Sequence, residues 1–518
     1  MRSDAPAPRE TQTALLLATL VIAVCGLVYE LLAGTISSYL LGDSVYQFSL
    51  VIGVFMAAMG IGAFLSRHVQ GNLASAFVWV QLALGVAGGL SAPVLFYAFS
   101  ALGNLPVILI LVLVVTGTLV GLEVPLIVRL LKEERTLRVN LSNVLTVDYA
   151  GALFAALLFP LILVPQLGLI RTSLLFGLLN VGVAGIALYA MPHLLKSHRR
   201  PLGVLTVMTA VGLITALFAA EEMERIFEDR LYNGDIILAQ TTPYQRIVVT
   251  KDGDVTSLFL NGGLQFSSID EYRYHEALVH PPMTLAERHE SVLILGGGDG
   301  LALREVLRYR AVKKVTVVDL DPHVTALFKD NDQLAALNGR AFHDSKVKLH
   351  HADAGKFIES TNEVYDVIIA DLPDPRDVNL SRLYTGVFYT KIAKRLAAGG
   401  VFVTQATSPF YAREAFWSIV TTLEGVPSPY RAKQELSVVP YHAYVPTFGL
   451  WGFVAASPRH IDWKRAQVAV KTRFLDMQTL ERMPQFPPDI GRLDVDPNDI
   501  HTHALTRYYD LGWSRWYR

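Results

Sequence analysis

The run Val292-Leu293-Ile294-Leu295-Gly296-Gly297-Gly298-Asp299-Gly300 sets four unbroken apolar residues directly before a glycine cluster. Such an apolar run suits a strand covered on both faces, as in a parallel sheet. A helix pattern follows through Leu307, and then a second strand, Val315-Thr316-Val317-Val318, ends at Asp319, 19 residues beyond Gly300. Glycines after a strand let the backbone approach a nucleoside or phosphate, and an acid about 20 residues on suits ribose hydroxyls. Strand, glycines, helix, strand and acid together read as a nucleotide or nucleoside site. The alternative is a tight strand-to-helix turn with an incidental acid at the next strand end.

The alternation continues downstream. Val347-Lys348-Leu349 precedes Asp353-Ala354, Asp366 to Ala370 runs into Asp371-Leu372-Pro373-Asp374-Pro375, and after a helix around 386–396 a strand Val401 to Thr404 reaches Gln405. Ligands in open α/β sheets sit at the carboxyl ends of the strands. Asp299, Asp319, Asp353, Asp371, Asp374 and Gln405 all follow such ends. One acid there is often a helix cap, but five in one sheet describe an acidic cavity that favours a cation.

Upstream, from about Asp229, β-branched segments alternate around a Lys251-Asp252-Gly253-Asp254 turn, the pattern of antiparallel hairpins. Asp270 to Glu276 then leads into a helix expected to end before Pro281, and on its own reads as a solvated, charged helix face.

Further upstream the chain is a different polymer. Of 518 residues, 52% are hydrophobic and 18% charged, against about 25% charged in ordinary soluble proteins. Residues 1–220 hold only 11 Lys+Arg and 8 Asp+Glu, and the remaining 298 hold 34 and 38. The near-zero net charge of -1 argues against a nucleic-acid partner. The single cysteine, Cys25, excludes an intrachain disulfide and a cysteine-rich metal site. About 20 apolar residues span a bilayer core, and seven segments qualify: 14–40, 46–65, 75–99, 105–131, 144–165, 171–192 and 202–220. Small residues at Gly53, Ala57 and Gly60, and at Gly85 and Gly89, predict close helix packing. Glu30, Glu123 and Asp148, with Asp43 at a span end, read either as a cation path or as polar contacts between helices. Pro93, Pro125 and Pro160 mark kinks or interruptions.

The soluble half resembles the spermidine synthases and related aminopropyltransferases, and the whole chain resembles their membrane-bound branch. The resemblance rests on Tyr244-Gln245, Leu260 to Gln265, Asp270-Glu271-Tyr272, Tyr274-His275-Glu276, Gly296 to Gly300, Asp371 to Pro375 and Leu383-Tyr384, and covers about 229–455. Composition, patterning and the resemblance together give four expected regions: a transmembrane bundle of about seven helices (1–220), a β-hairpin domain (221–285), a Rossmann-like, methyltransferase-type α/β domain (286–457) and, outside the resemblance, a C-terminal extension (458–518). The resemblance implies transfer of an aminopropyl group from decarboxylated S-adenosylmethionine to a diamine, typically putrescine. The products are spermidine and 5'-methylthioadenosine, with no cofactor or metal besides the co-substrate.

By position, Asp371 matches the catalytic base. Gln245, Asp319, Asp353, Ala354, Gly296 and Gly298 match donor contacts, and His275, Asp299, Asp374, Tyr274 and Gln405 match amine contacts. A homo-oligomer is implied as well. Where soluble members carry a Gly-Pro after the Asp-Pro, this chain has Arg376 to Ser381, which leaves diamine length open. The rival functions are an S-adenosylmethionine-dependent methyltransferase on the same sheet, and a polyamine transporter or sensor whose soluble half only binds. The extension reads either as a docking segment against the bundle or as a helical cap.

Localisation is expected to be multi-pass in the cell membrane. Arg67, then Arg129, Lys132, Arg135 and Arg138, then Lys196, Arg199 and Arg200 fall in alternate connections; the positive-inside rule puts these, with Arg2 and Arg9, in the cytoplasm. Seven spans would then put the catalytic half outside, although its donor is made in the cytosol. A re-entrant turn or second pass hidden in 105–131 at Glu123-Val124-Pro125 would reconcile the two and leave that half cytoplasmic.

Overall fold

The structure, a computed structural model, describes residues 9–41, 44–102, 104–131, 137–195, 198–232 and 234–516. Asp43 and four of the basic residues weighed for orientation, Arg2, Lys132, Arg135 and Lys196, lie outside them. The chain forms two compact units, Met1–Asp235 and Ile236–Arg518. The division between these units lies after Asp235. The helix Ala220–Leu231 belongs to the first unit because Phe227 stacks on Phe96 at 6.3 Å.

Six helical stretches among the described residues are long and apolar enough to cross a membrane. The fifth, Leu141–Ala190, holds two of the seven expected segments. Fifty helical residues would extend about 75 Å, far beyond a bilayer core of about 30 Å. The stretch is broken at Gly168, whose φ of 73° no helix contains. Leu105–Leu131, by contrast, is one helix with Pro125 inside it. It holds neither a re-entrant turn nor a second pass, so the proposed reconciliation of orientation fails there.

Close helix packing is real but only partly where expected. Gly85 lies against Gly177 and Val181, and Gly89 against Gly177, whereas Gly53 and Gly60 face open space. The tightest approach uses Gly62, Gly117 and Gly121: a Cβ at Gly62 would stand 2.0 Å from the Thr118 carbonyl oxygen. Glu123 is fully buried and accepts a 2.6 Å hydrogen bond from Gln81 Nε2, a polar contact between helices.

The second unit carries two sheets. Strands β1 (Asp235–Thr241), β2 (Arg246–Asp252), β3 (Val255–Leu260) and β4 (Gly263–Ser267) form a meander in that order. Its second and third turns fall at Asp252-Gly253 and Asn261-Gly262, with φ of 57°, 49° and 78° at the last three residues. Strands β5 (Ser291–Gly296), β6 (Lys314–Asp319), β7 (Val347–His351), β8 (Tyr365–Asp371), β9 (Leu396–Gln405), β10 (Ser437–Val445) and β11 (Gly449–Ser457) make a seven-stranded sheet. Its order is β10-β11-β9-β8-β5-β6-β7, parallel from β7 to β9 and closed by an antiparallel hairpin. The chain runs from β5 outward to β7 and then crosses to β8, so the order reverses between β5 and β8. That switch point is where a ligand crevice opens.

The hairpins, the α/β sheet and the extension share one core. Leu258 and Phe266 pack with Val292 and Ile294, and with Leu475 and Leu480. The helix Glu271–Leu285 departs from expectation twice. It continues through Pro281 and Pro282, and it is buried rather than solvated. Pro281 has no N–H for the Ala277 carbonyl, and the Tyr441 hydroxyl donates to that oxygen instead at 3.0 Å.

Candidate active site

The crevice is built from the ends of β5, β6 and β8 and from the buried face of the Glu271–Leu285 helix. Gly296 pairs with Asp371 across the parallel register of β5 and β8. Its φ is 81°, and a Cβ there would stand 2.0 Å from the Asp371 carbonyl oxygen, so glycine is required. Gly298 lies so close to Asp319 that a Cβ would meet Oδ2 at 2.6 Å. Asp319 Oδ1 accepts from the Asp321 N–H at 2.9 Å.

Three predicted residues, Tyr274, His275 and Asp371, meet at the end of β8. The Tyr274 hydroxyl donates to Asp371 Oδ1 at 2.8 Å. The Tyr274 ring meets the His275 ring edge-on at 5.0 Å. Burial raises the Asp371 carboxyl above the usual range, opposed by charge attraction to His275 and by the Tyr274 hydroxyl. Burial alone would lower His275, but hydrogen bonding and attraction to Glu271 outweigh it, raising the imidazole to about 9. Its Nδ1 bonds Glu271 Oε2 at 2.9 Å, and Arg304 clamps both oxygens of that carboxylate at 3.0 Å. Burial pushes Asp299 up to about 6, against the pull of His275. Burial likewise brings Asp319 to about 6, against the Asp321 and Gly298 N–H groups.

At the neighbouring edge Asp374 also rises to about 6 through burial, opposed chiefly by the Tyr509 hydroxyl. Gln405 fixes the backbone beneath it: Nε2 donates to the Leu372 carbonyl at 2.8 Å, and Oε1 accepts from the Thr407 N–H at 2.9 Å. Carboxylates of raised pKa crowded around one imidazolium leave the crevice short of positive charge. It favours a cationic ligand.

Two predicted residues, Gln245 and Asp353, have side-chain partners within the protein. Gln245 Nε2 donates to Asp321 Oδ2 at 3.0 Å, beside a 2.7 Å bond from Thr242, which ties the β1–β2 turn to the end of β6. Asp353 caps the helix Ala354–Ser360 at the Lys356 N–H and pairs with Arg382 at 2.5 Å. Its charge is compensated, unlike those of Asp299, Asp319, Asp371 and Asp374, which no Lys or Arg pairs within salt-bridge distance among the described residues. Ala354 is buried at the first position of that helix.

Sequence reasoning missed Glu271 and Arg304, although Glu271 stands one helical turn before His275 and that spacing was visible. It also gave Glu276 no role of its own. Glu276 accepts from the backbone N–H groups of Arg473, Phe474 and Leu475 at 2.7 to 3.0 Å, holding the extension. Nothing local in the sequence signals that pairing.

Residues 271–465, which contain most of this crevice, match the spermine/spermidine synthase domain. A polyamine aminopropyltransferase of Leptospira interrogans is 42% identical over 504 residues, covering 97% of this chain and 99% of that one. Polyamine aminopropyltransferase 2 of Ralstonia nicotianae is 44% identical over 507 residues, covering 96% and 98%. Among solved structures, a spermidine synthase crystallised with the transition-state analogue AdoDATO is 26% identical. That match covers 49% of this chain and 86% of that one, with a TM-score of 0.44. Because the likeness to the two bacterial enzymes extends through the helical unit as well as the crevice, the chain belongs to the polyamine aminopropyltransferase family.

Proposed function

We propose that the protein transfers the aminopropyl group of decarboxylated S-adenosylmethionine to putrescine, releasing spermidine and 5'-methylthioadenosine. The observation that carries this is Asp371 at the switch point, bonded to Tyr274 and one strand from the glycine loop. The acceptor nitrogen attacks the methylene beside the sulfonium, the C–S bond breaks with its electrons left on sulfur, and the nitrogen's surplus proton passes to Asp371. A preformed sulfonium leaving group needs only alignment, which binding supplies.

Asp319 serves the ribose, and Gly296 and Gly298 let the nucleoside approach. Gln245 and Asp353-Ala354 border that end, where Asp353 works through its cap and ion pair. His275, Asp299, Tyr274, Asp374 and Gln405 line the amine path. Asp299 supports this over methyl transfer, because a buried carboxylate would repel the carboxylate of intact S-adenosylmethionine while attracting the ammonium of the decarboxylated form. A preference for the intact donor in binding assays would favour the methyltransferase.

We place the first unit in the cell membrane and the catalytic unit in the cytoplasm. The donor carries two positive charges and cannot cross a bilayer unaided. With seven crossings this puts the N-terminus outside, against the Lys/Arg bias. A homo-oligomer accompanies the family resemblance, and light scattering in detergent tests it. For the reaction itself, the purified full chain is incubated with decarboxylated donor and putrescine, and methylthioadenosine and spermidine are quantified together. Binding of putrescine without either product would favour the sensor reading.

A further inference from the structure

The extension contributes to the acceptor end of the crevice. The helix Ala504–Trp513 lies beyond the matched domain, residues 271–465. It is firmly seated on the catalytic unit. Leu505 is fully buried, and a Cβ at Gly512 would stand 2.6 Å from the Ala412 Cα. Trp513 stacks on Tyr411 at 5.1 Å, and Asn498, just ahead of the helix, donates to the Ser381 carbonyl at 2.9 Å. From this helix the Tyr509 hydroxyl donates to Asp374 Oδ2 at 3.0 Å. Thr407 Oγ1 reaches the same oxygen at 3.3 Å, while Asp374 Oδ1 is buried with no hydrogen-bond partner. One oxygen is held by two hydroxyls; the other makes no hydrogen bond of good geometry, although the Gln405 amide also favours the ionised carboxylate, and a buried acceptor so weakly satisfied is costly.

We infer that Tyr509 is a positioning residue for the acceptor: it locks Asp374 so that Oδ1 faces the ammonium of the diamine farthest from the attacking nitrogen. This rests on the aminopropyl-transfer reading for its substrate, but its test does not require turnover. The extension is then part of the substrate site rather than a docking segment, and an acceptor lacking a second ammonium gains nothing from it.

The test is calorimetric titration of putrescine into the full chain, wild type and Tyr509→Phe, with matched thermal unfolding curves. The phenyl ring keeps the packing, so folding is expected unchanged. Putrescine Kd is expected to rise about tenfold, as for one lost hydrogen bond to a charged group, while the Kd of decarboxylated donor stays within about twofold. The acid limb of putrescine binding should also move to higher pH, since the lost donor favoured the ionised Asp374. A purely structural role would not move that limb. In an Asp374→Asn background the same Tyr509→Phe change should have little further effect. Equal putrescine affinity in wild type and Tyr509→Phe overturns the inference, as does a wild type that binds no putrescine. A wild type that binds putrescine but makes no methylthioadenosine overturns only the reaction, and the comparison of affinities still decides the role of Tyr509.

Discussion

Tyr274 and Asp371 are 97 residues apart in sequence and joined by one 2.8 Å hydrogen bond, in which the phenol donates to the carboxylate. That bond favours the ionised acid in a place where burial opposes it. The Asp371 carboxyl is thereby held lower than burial alone would set it.

Tyr274→Phe removes the donor and lets the Asp371 pKa rise. The acid limb of kcat/KM should move to higher pH, with activity at pH 7 lowered about tenfold and largely recovered at pH 9. A pH–rate profile with an unmoved limb would remove the assigned interaction.

Acceptor binding should weaken in acid. Asp299 and Asp374 have pKa values near 6, so both carry charge above that pH and lose it below. The putrescine KM, measured at saturating donor, is expected to rise about a hundredfold between pH 7 and pH 5, about tenfold for each of two groups whose pKa lies midway. A flat KM across that range contradicts the assignment.

The same charges cost stability. A carboxylate whose folded pKa is raised destabilises the fold above that pKa, and the cost vanishes below the unfolded value of about 4. Asp374→Asn should therefore stabilise the ligand-free protein by about 1–2 kcal/mol at pH 8 and by almost nothing at pH 4. Thermal unfolding at the two pH values measures this. Destabilisation at pH 8 would mean the carboxylate is favourably paired.

Much of the site was legible because its signals are local. The switch from apolar strand to glycines at Gly296 and the acid at Asp319 fix two ends of the crevice, and Asp371 follows from the next strand end. Burial of the Glu271–Leu285 helix was not legible, because its charged residues find partners far away: Arg304 for Glu271 and the 473–475 backbone for Glu276. The ion pair of Asp353 was not legible for the same reason, since its compensating charge, Arg382, lies 29 residues on. In the helical unit, hydropathy locates segments but cannot say which glycines face a neighbour. Gly62 and Gly121 meet the facing backbone, and Gly53 does not.

Donor and acceptor ends should separate in a single variant. A Cβ at Gly298 meets only the end of the Asp319 side chain, which can shift. Gly298→Ala should raise the donor KM about tenfold, the scale of one displaced charge-assisted hydrogen bond, and leave the putrescine affinity within about twofold. Equal effects on both substrates would argue against Asp319 as the ribose acceptor.

Orientation is testable with paired reporters fused before Met1 and after Arg518. A C-terminal reporter active in the cytoplasm, with an N-terminal one active outside, agrees with seven crossings and a cytosolic donor. A C-terminal reporter active only outside would require the donor to be exported.

The most direct measurement is product formation by the purified full chain supplied with decarboxylated S-adenosylmethionine and putrescine, alongside Asp371→Asn. Equimolar methylthioadenosine and spermidine from the wild type, with turnover reduced at least about a hundredfold in the variant, as for loss of a general base, is the predicted result. Undiminished turnover in Asp371→Asn, or no methylthioadenosine from the wild type, would contradict it.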